Sequence, residues 1–293
     1  MNDPDVDVDV ARRLVDEQFA HVDPHAARES LRVVDVGWDN LIVRLGEHLA
    51  LRLPVRELAA GLVPHEARWL PEVAATLPVR APVPVFVGAP TAYYPWPWLV
   101  VPWIEGTVVA DVPVEDRWRL VDDLADTMLA LHRPAPDDAP PNPFRGMPLQ
   151  ERDAGVRARI SDWPGAADVL LPAWAAAVAA PVWPGPPLWL HGDPHPRNLV
   201  ADDAGLAGIL DFGDITSGDP ANDLATAWWC FGPDDRARFI ARLDAAGRYD
   251  RHVWARAAGW AVVVASAVGL DTPMGSVAVH TVEQLALEVR RGT

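Results

Sequence analysis

The sequence predicts an α+β fold of two lobes, a small β-rich one over residues 1–102 and a larger, mainly helical one over residues 103–293. Three observations carry that division. Short apolar runs separated by turn residues crowd the first hundred positions. Helical apolar periodicity dominates from Val114 onward. A single compact β segment, Leu188 to Asp211, interrupts the helical part and carries the densest polar cluster in the chain. At 293 residues with 50% hydrophobic content, the chain can bury a sizeable core, enough for one large domain or two lobes sharing a cleft.

Val10 to Phe19 has helical spacing. Leu31 to Val36, Leu41 to Leu45 and Leu49 to Leu53 follow as apolar runs. The turn residues Gly37-Trp38-Asp39-Asn40 and Gly46-Glu47-His48 separate them, which predicts a three-stranded meander. A helix is expected from about Leu62, with Glu66, Leu70, Val73 and Leu77 on one face, so that Glu66 points inward. Pro71 predicts a break at Leu70, because proline removes a helix hydrogen bond. Val83 to Val87 and Leu99 to Val101 read as two more strands, leaving through the hinge-like Pro102-Trp103-Ile104-Glu105-Gly106. From Val114 to His132 and onward the pattern is helical, with a Pro-rich loop at Pro134 to Pro143, and Trp260 to Leu270 reads as a buried helix too short to span a bilayer.

Composition excludes several function classes. The net charge of −16 repels polyphosphate backbones, so nucleic acid is not an expected partner, whereas a cationic substrate would be steered favourably. All 25 basic side chains are arginine, since the chain holds no lysine. A lone cysteine, Cys230, can form neither an internal disulfide nor a thiolate zinc cluster. The stretch Met1 to Val10 alternates Asp with Val and lacks the basic-then-apolar layout of a signal peptide, which predicts a cytoplasmic protein with no membrane partner.

The chemistry concentrates in His191-Gly192-Asp193-Pro194-His195-Pro196-Arg197-Asn198 and Asp211-Phe212-Gly213-Asp214. A hairpin closing symmetrically about Ala204-Gly205 would set Asn198 opposite Asp211, near enough for both to ligate one hard cation, with magnesium suited to such oxygen donors. Asp193, five residues before Asn198 in a loop that two prolines keep from becoming helical, can face the same cation. Phosphoryl transfer needs this set and little more: metal ligands for the nucleotide, and a carboxylate to orient the attacking hydroxyl and accept its proton. His-x-Asp, Asn five residues after the Asp, and Asp-Phe-Gly eighteen after it match the catalytic and metal loops of protein kinases. Taken singly, Asp193 reads as a turn residue, and Asn198 and Asp211 read as hairpin caps; it is the combination that points to chemistry. His191, after an apolar strand, reads as structural, and the role of His195 stays open. Asp219 before Pro220 reads as a helix cap for a run from Ala221 to Trp229, and Asp214 either approaches the metal or solvates its loop. The Trp-rich segments read as core, and Asp122-Asp123 and Asp234-Asp235 as solvated faces.

These motifs, with Gly218-Asp219-Pro220, resemble the aminoglycoside phosphotransferase family of kinase-like enzymes. The resemblance implies a protein-kinase-like fold, Asp193 as catalytic base, Asn198 and Asp211 on Mg2+, and ATP or GTP held between the lobes near Pro102, Trp103 and Ile104. Members of that family phosphorylate hydroxyls of aminoglycosides, macrolides, choline or homoserine, so the resemblance implies a small-molecule O-phosphotransferase and leaves the acceptor open. In place of the strand lysine and helix glutamate of protein kinases, Arg52 on the third strand and Glu66 are the expected phosphate-binding pair, and Arg52-Leu53-Pro54 resembles the macrolide-kinase branch. No Gly-x-Gly-x-x-Gly loop is present, so the Gly37 turn would have to cover the nucleotide. Two alternatives stand beside this reading: a nucleotide-binding pseudokinase without turnover, and a metal-dependent hydrolase built on His191, Asp193, His195 and Asp211.

Overall fold

The computed structural model describes residues 6–291, so the expectation placed on Met1 to Asp5 lies outside the described residues. The chain divides into two compact units. One holds the residues up to Thr76, Arg80–Glu105 and Asp211–Ile215; the other holds Leu77–Val79, Gly106–Leu210 and the residues from Thr216.

In the first unit, α1 (Val8–Glu17) starts where the Asp7 carboxylate caps the N–H groups of Asp9 and Val10, and it buries Ala11, Leu14 and Val15. The expected meander forms as β1 (Leu31–Val36), β2 (Asn40–Leu45) and β3 (Leu49–Pro54). After a short helix, α2 (Glu57–Ala60), comes α3 (Val63–Ala74), and then β4 (Phe86–Gly88) and β5 (Trp98–Pro102) complete a five-stranded antiparallel sheet of order β1-β2-β3-β5-β4. Strand alternation sorts β3 between two cores. Leu51 and Leu53 join Leu14, Phe19, Tyr94 and Trp98 under α1. Ala50 instead packs with Val63, Leu99 and Val101, which places Arg52 on the face that receives α3.

Two expectations in this unit are corrected. The helix does not break at Leu70 but runs through Pro71 to Ala74, because Trp69, Leu70 and Val73 are all buried and their packing outweighs the one bond the proline forfeits. The strand expected over Val83 to Val87 begins only at Phe86, after Pro82 and Pro84. There Gly88 is required by packing, since a Cβ would lie 1.9 Å from the Trp98 indole nitrogen.

The second unit is mainly helical. Its strands are β6 (Thr107–Val108), β7 (Leu188–Leu190), β8 (Leu199–Asp202), β9 (Gly205–Ile209) and β10 (Thr216–Gly218); β10 pairs with β7, and β6, β8 and β9 form a second small sheet. Its helices are α4 (Val121–Leu131), α5 (Asp153–Ser161), α6 (Pro164–Ala179), α7 (Ala221–Leu224), α8 (Thr226–Cys230), α9 (Pro233–Ala245), α10 (Val253–Ala267) and α11 (Gly275–Arg291). The buried helix expected at Trp260 to Leu270 is α10, which ends at Ala267 and packs against α5, α6, α7 and α11. Among the described residues no helix is long and apolar enough to cross a membrane.

The run from Ala221 to Trp229 is two short helices rather than one. Asp219 does cap the first, accepting from the Ala221 N–H at 3.0 Å, and it is also held by Arg256 Nε at 2.6 Å. Asp123 is no solvated acid: its Oδ2 accepts from the Leu206 N–H of β9 at 2.9 Å. Tyr94, Trp98, Trp228 and Trp229 are core, as read.

Candidate active site

The hairpin that carries the polar cluster is not symmetric about Ala204-Gly205. Asp202 pairs with Gly205, a bulge follows between Val200 and Ala201, and Leu199 then pairs with Ile209. The register therefore sets Asn198 against Leu210, whose N–H donates to the Asn198 carbonyl at 2.7 Å, and not against Asp211. Asp211 leaves the ladder in the left-handed conformation, φ 60°, unlike any other non-glycine among the described residues. Such strain in a non-glycine residue persists where surrounding bonds enforce it and concentrates at functional sites.

In the second unit the loop after β7 turns at Gly192, whose φ of 94° favours glycine, and presents Asp193. Almost every polar group of the turn is tied. The buried Asp223 carboxylate accepts from the N–H groups of His191 and Gly192 at 2.7 and 2.9 Å. The Asn222 amide donates to the Gly192 carbonyl at 2.7 Å, and Thr226 Oγ1 to that of Pro194 at 2.8 Å. His191 Nδ1 accepts from the Asp193 N–H at 3.1 Å, so its proton sits on Nε2, which donates to the Leu210 carbonyl at 2.7 Å. His191 is thus a neutral strut between the loop and the end of β9, the structural role read for it. Asn198 Nδ2 donates to the Asp193 carbonyl at 3.0 Å.

The Asp193 carboxylate itself is half-buried. Its Oδ2 lies 3.2 Å from Arg145 Nη2 and 3.5 Å from His195 Nε2, while its Oδ1 is buried with no hydrogen-bond partner among the described residues. A buried carboxylate oxygen left without a donor is ready to accept one.

In the first unit Arg52 meets Glu66, as expected, and also Asp211. Its guanidinium donates to Glu66 Oε1 at 2.5 Å and to Asp211 Oδ1 at 2.6 Å. Burial pushes the Glu66 carboxyl up to about 7 against the pull of Arg52, because that one cation is shared with Asp211. The two carboxylates in turn hold Arg52 above its ordinary value in spite of its burial. Asp39, at the tip of the Gly37 turn, is raised by burial against the pull of Arg56, and Asp211 and Asp214 add to the rise. Pro102 ends β5 opposite Leu49, Trp103 lies under the Arg44 guanidinium at 4.7 Å and donates its backbone N–H to the His48 carbonyl, and Ile104 is buried.

A family model described as the Phosphotransferase enzyme family matches residues 30–260. The chain belongs to that family. The resemblance read from the motifs is thereby borne out, and the chain is a phosphotransferase. A segment of 75 residues is 35% identical to "Uncharacterized protein YcbJ" of Bacillus subtilis (strain 168); it makes up 25% of this phosphotransferase and spans about a quarter, 24%, of that relative's length. Among solved structures, the GDP and kanamycin complex of APH(2")-IIia aligns with a TM-score of 0.70 at 18% identity, over 97% of this chain and 99% of that one. The apoenzyme of macrolide 2'-phosphotransferase MphH from Brachybacterium faecium aligns with a TM-score of 0.60 at 18% identity, over 94% of both chains. These likenesses show the fold, which is the kinase-like α+β fold the sequence predicts.

The donor set of this phosphotransferase fits magnesium. Because the Asn198 amide nitrogen is used on the Asp193 carbonyl, its oxygen is the atom left to face a cation. Asp193 of the same unit adds a carboxylate oxygen, so both donors are hard. Among the described residues no group of three or more His, Cys, Asp and Glu side chains is disposed to hold a metal. Sequence reasoning missed Asp223, Asn222 and Arg145. An acid in the apolar run Ala221 to Cys230 was the available signal for Asp223; nothing local singles out Arg145.

Proposed function

We propose that this phosphotransferase moves the γ-phosphate of ATP or GTP to a hydroxyl of a small molecule, with Asp193 as the catalytic base. The observation that carries the reading is the Asp193 carboxylate: its loop is tied at nearly every backbone group, yet one of its oxygens has no donor. That oxygen would take the proton of the attacking hydroxyl, and the tied loop would keep it in place while it does so. Asn198 and Asp211 would hold Mg2+, which when bound neutralises charge on the β- and γ-phosphates. Arg52, fixed by Glu66, would contact the phosphates through two N–H groups, and Pro102, Trp103 and Ile104 would receive the base. The APH(2")-IIia complex contains kanamycin and GDP, which makes an aminoglycoside or macrolide antibiotic the first acceptor to try and resistance to such compounds the phenotype to look for. A cytoplasmic setting suits a nucleotide-dependent enzyme whose one cysteine, Cys230, is buried with its thiol pushed up to about 11. Nucleic acid and membrane are not proposed as partners.

The test is transfer of labelled γ-phosphate from MgATP and MgGTP to a panel of amino sugars, macrolides, amino alcohols and hydroxy acids. Labelled product that disappears in Asp193→Ala, with nucleotide binding kept, supports the reading. Tight nucleotide binding with no product and no slow hydrolysis would make the chain a nucleotide-binding module without turnover, a reading prompted by the missing lysine and Gly-rich loop.

A further inference from the structure

Three arginines run away from Asp193 within the second unit. Arg145 Nη2 is 3.2 Å from Asp193 Oδ2. Arg152 Nη1 donates to the carbonyl of Phe144, the residue before Arg145, at 3.0 Å, and its guanidinium stands 5.7 Å over the Trp260 ring. Arg159, two turns further along at the end of α5, donates through Nε to Ser266 Oγ at 3.3 Å. Burial, then the charges of Arg145 and Arg159, lower the basicity of Arg152, and burial lowers that of Arg159.

Neither Arg152 nor Arg159 has an ion-pair partner among the described residues, and Arg152 Nε and Arg159 Nη2 are buried donors without an acceptor. The acid nearest in sequence, Asp153, is committed to Arg157 Nε and to Trp174 Nε1, both at 2.7 Å. In a chain with 41 acidic residues against 25 arginines, two half-buried guanidiniums without counter-charge are costly.

The strip is also held at a fixed distance from the base. Gly146, φ +66°, packs so that a Cβ would sit 2.7 Å from Leu190 Cδ1. Its N–H donates to Asn222 Oδ1 at 3.2 Å, and its carbonyl accepts from the Asp219 N–H at 3.0 Å. The same Asn222 side chain holds the Gly192 carbonyl, so the Arg145 loop and the Asp193 loop share an anchor.

We propose that Arg152 and Arg159, with Arg145 between them and Asp193, bind an anionic group of the acceptor, so that the hydroxyl substrate of this enzyme carries a carboxylate or a phosphate. This rests on the phosphotransfer reading above. Guanidinium forks match carboxylate and phosphate oxygens in two-point contacts, whereas a polycationic amino sugar would meet like charge beside the base. The net charge of −16 disfavours the approach of anions at long range, and the local cluster supplies the attraction that overrides it at the site.

Two arms of one experiment test this. In the first, wild type, Arg152→Gln and Arg159→Gln are melted with millimolar hydroxy acids and sugar phosphates, each paired with its neutral counterpart, such as glycerate with glycerol and glucose 6-phosphate with glucose. The anionic member of a pair should raise the melting temperature, the neutral member should not, and both variants should lose the rise; which anion acts separates carboxylate from phosphate. No rise with any anion, or a rise kept in both folded variants, overturns the proposal. In the second arm, turnover with MgATP and MgGTP is followed on the same compounds, kanamycin and a macrolide. Arg159→Gln should raise the KM of the anionic acceptor roughly tenfold or more, with the nucleotide KM unchanged, and Arg152→Lys should recover part of what Arg152→Gln loses. Turnover confined to kanamycin or the macrolide overturns the proposal. Anion binding with no turnover on any compound refutes the phosphotransfer reading and leaves the anion site standing.

Discussion

Replacing Asp223 by asparagine tests whether the Asp193 loop is held by a buried charge. The carboxylate receives four groups: the N–H of His191 at 2.7 Å, the N–H of Gly192 at 2.9 Å, the Asn222 amide at 3.0 Å and His132 Nε2 at 3.4 Å. Asparagine keeps one acceptor oxygen and turns an NH2 toward one of the two backbone donors, so it loses one charge-assisted bond and weakens another. Bonds to a charged partner contribute about 1.5–3 kcal/mol each, so a loss of about 2–4 kcal/mol is expected. At roughly 2–4 °C per kcal/mol for a chain of this size, the melting temperature should fall by about 4–16 °C. The pH dependence carries a second signature. Burial alone would raise the Asp223 carboxyl, but the hydrogen bond and charge of His132 and the N–H of Gly192 hold it below the ordinary value of 3.8. A depressed folded value means that this stability is present above pH 3.8 and is lost as pH falls through the folded value, so wild type and Asp223→Asn should converge in acid. Urea titrations from pH 7 down to the acid limb, with activity followed in parallel, give both quantities. A variant as stable as wild type at pH 7, or one with the same acid limb, would refute the account of the loop.

Three further outcomes follow from the two units. Glu66→Gln should flatten a different pH range: with the folded carboxyl raised from 4.5 to about 7, the contribution of Glu66 is fully present below pH 4.5 and about 3 kcal/mol of it is lost as pH rises through about 7, whereas the variant should show no such slope in calorimetry. Arg52→Lys cannot span Glu66 and Asp211 from a single nitrogen, so it should weaken nucleotide binding about tenfold or more in titration calorimetry without unfolding the sheet. Removing magnesium with a chelator should abolish the rise in melting temperature caused by nucleotide, and Asn198→Ala should reduce that rise at saturating magnesium, while Asn198→Asp, which restores an oxygen donor, should recover it in part.

Much of the fold was legible because it is written in local periodicity. The apolar runs and turn residues over Leu31 to Leu53 give the meander, and the helical offsets from Glu66 to Val73 turn that glutamate toward the sheet, where the odd-even alternation of β3 puts Arg52. Asp193, Asn198 and Asp211 stood out as candidates for another reason: phosphoryl transfer needs few groups, and these three fall within nineteen consecutive residues at kinase-like spacing. Where the outcome depended on packing rather than on pattern, local reading failed. Pro71 stays in its helix because three neighbours are buried, and a turn that pairs Asp202 with Gly205, only partly offset by the bulge between Val200 and Ala201, sets Asn198 against Leu210 rather than Asp211.

What the sequence determined by itself was therefore the family and the fold class, together with the candidate residues proposed for the reaction, all set by short-range order along the chain. The tertiary structure decided which groups hold and surround those residues. Asp223 reaches His191 across thirty-two positions, Arg145 reaches Asp193 across forty-eight, and Asp211 reaches Arg52 across one hundred and fifty-nine. Hydrogen bonds and ion pairs act over a few ångströms of space and are indifferent to separation along the chain, so no reading of neighbouring letters could have brought these partners together.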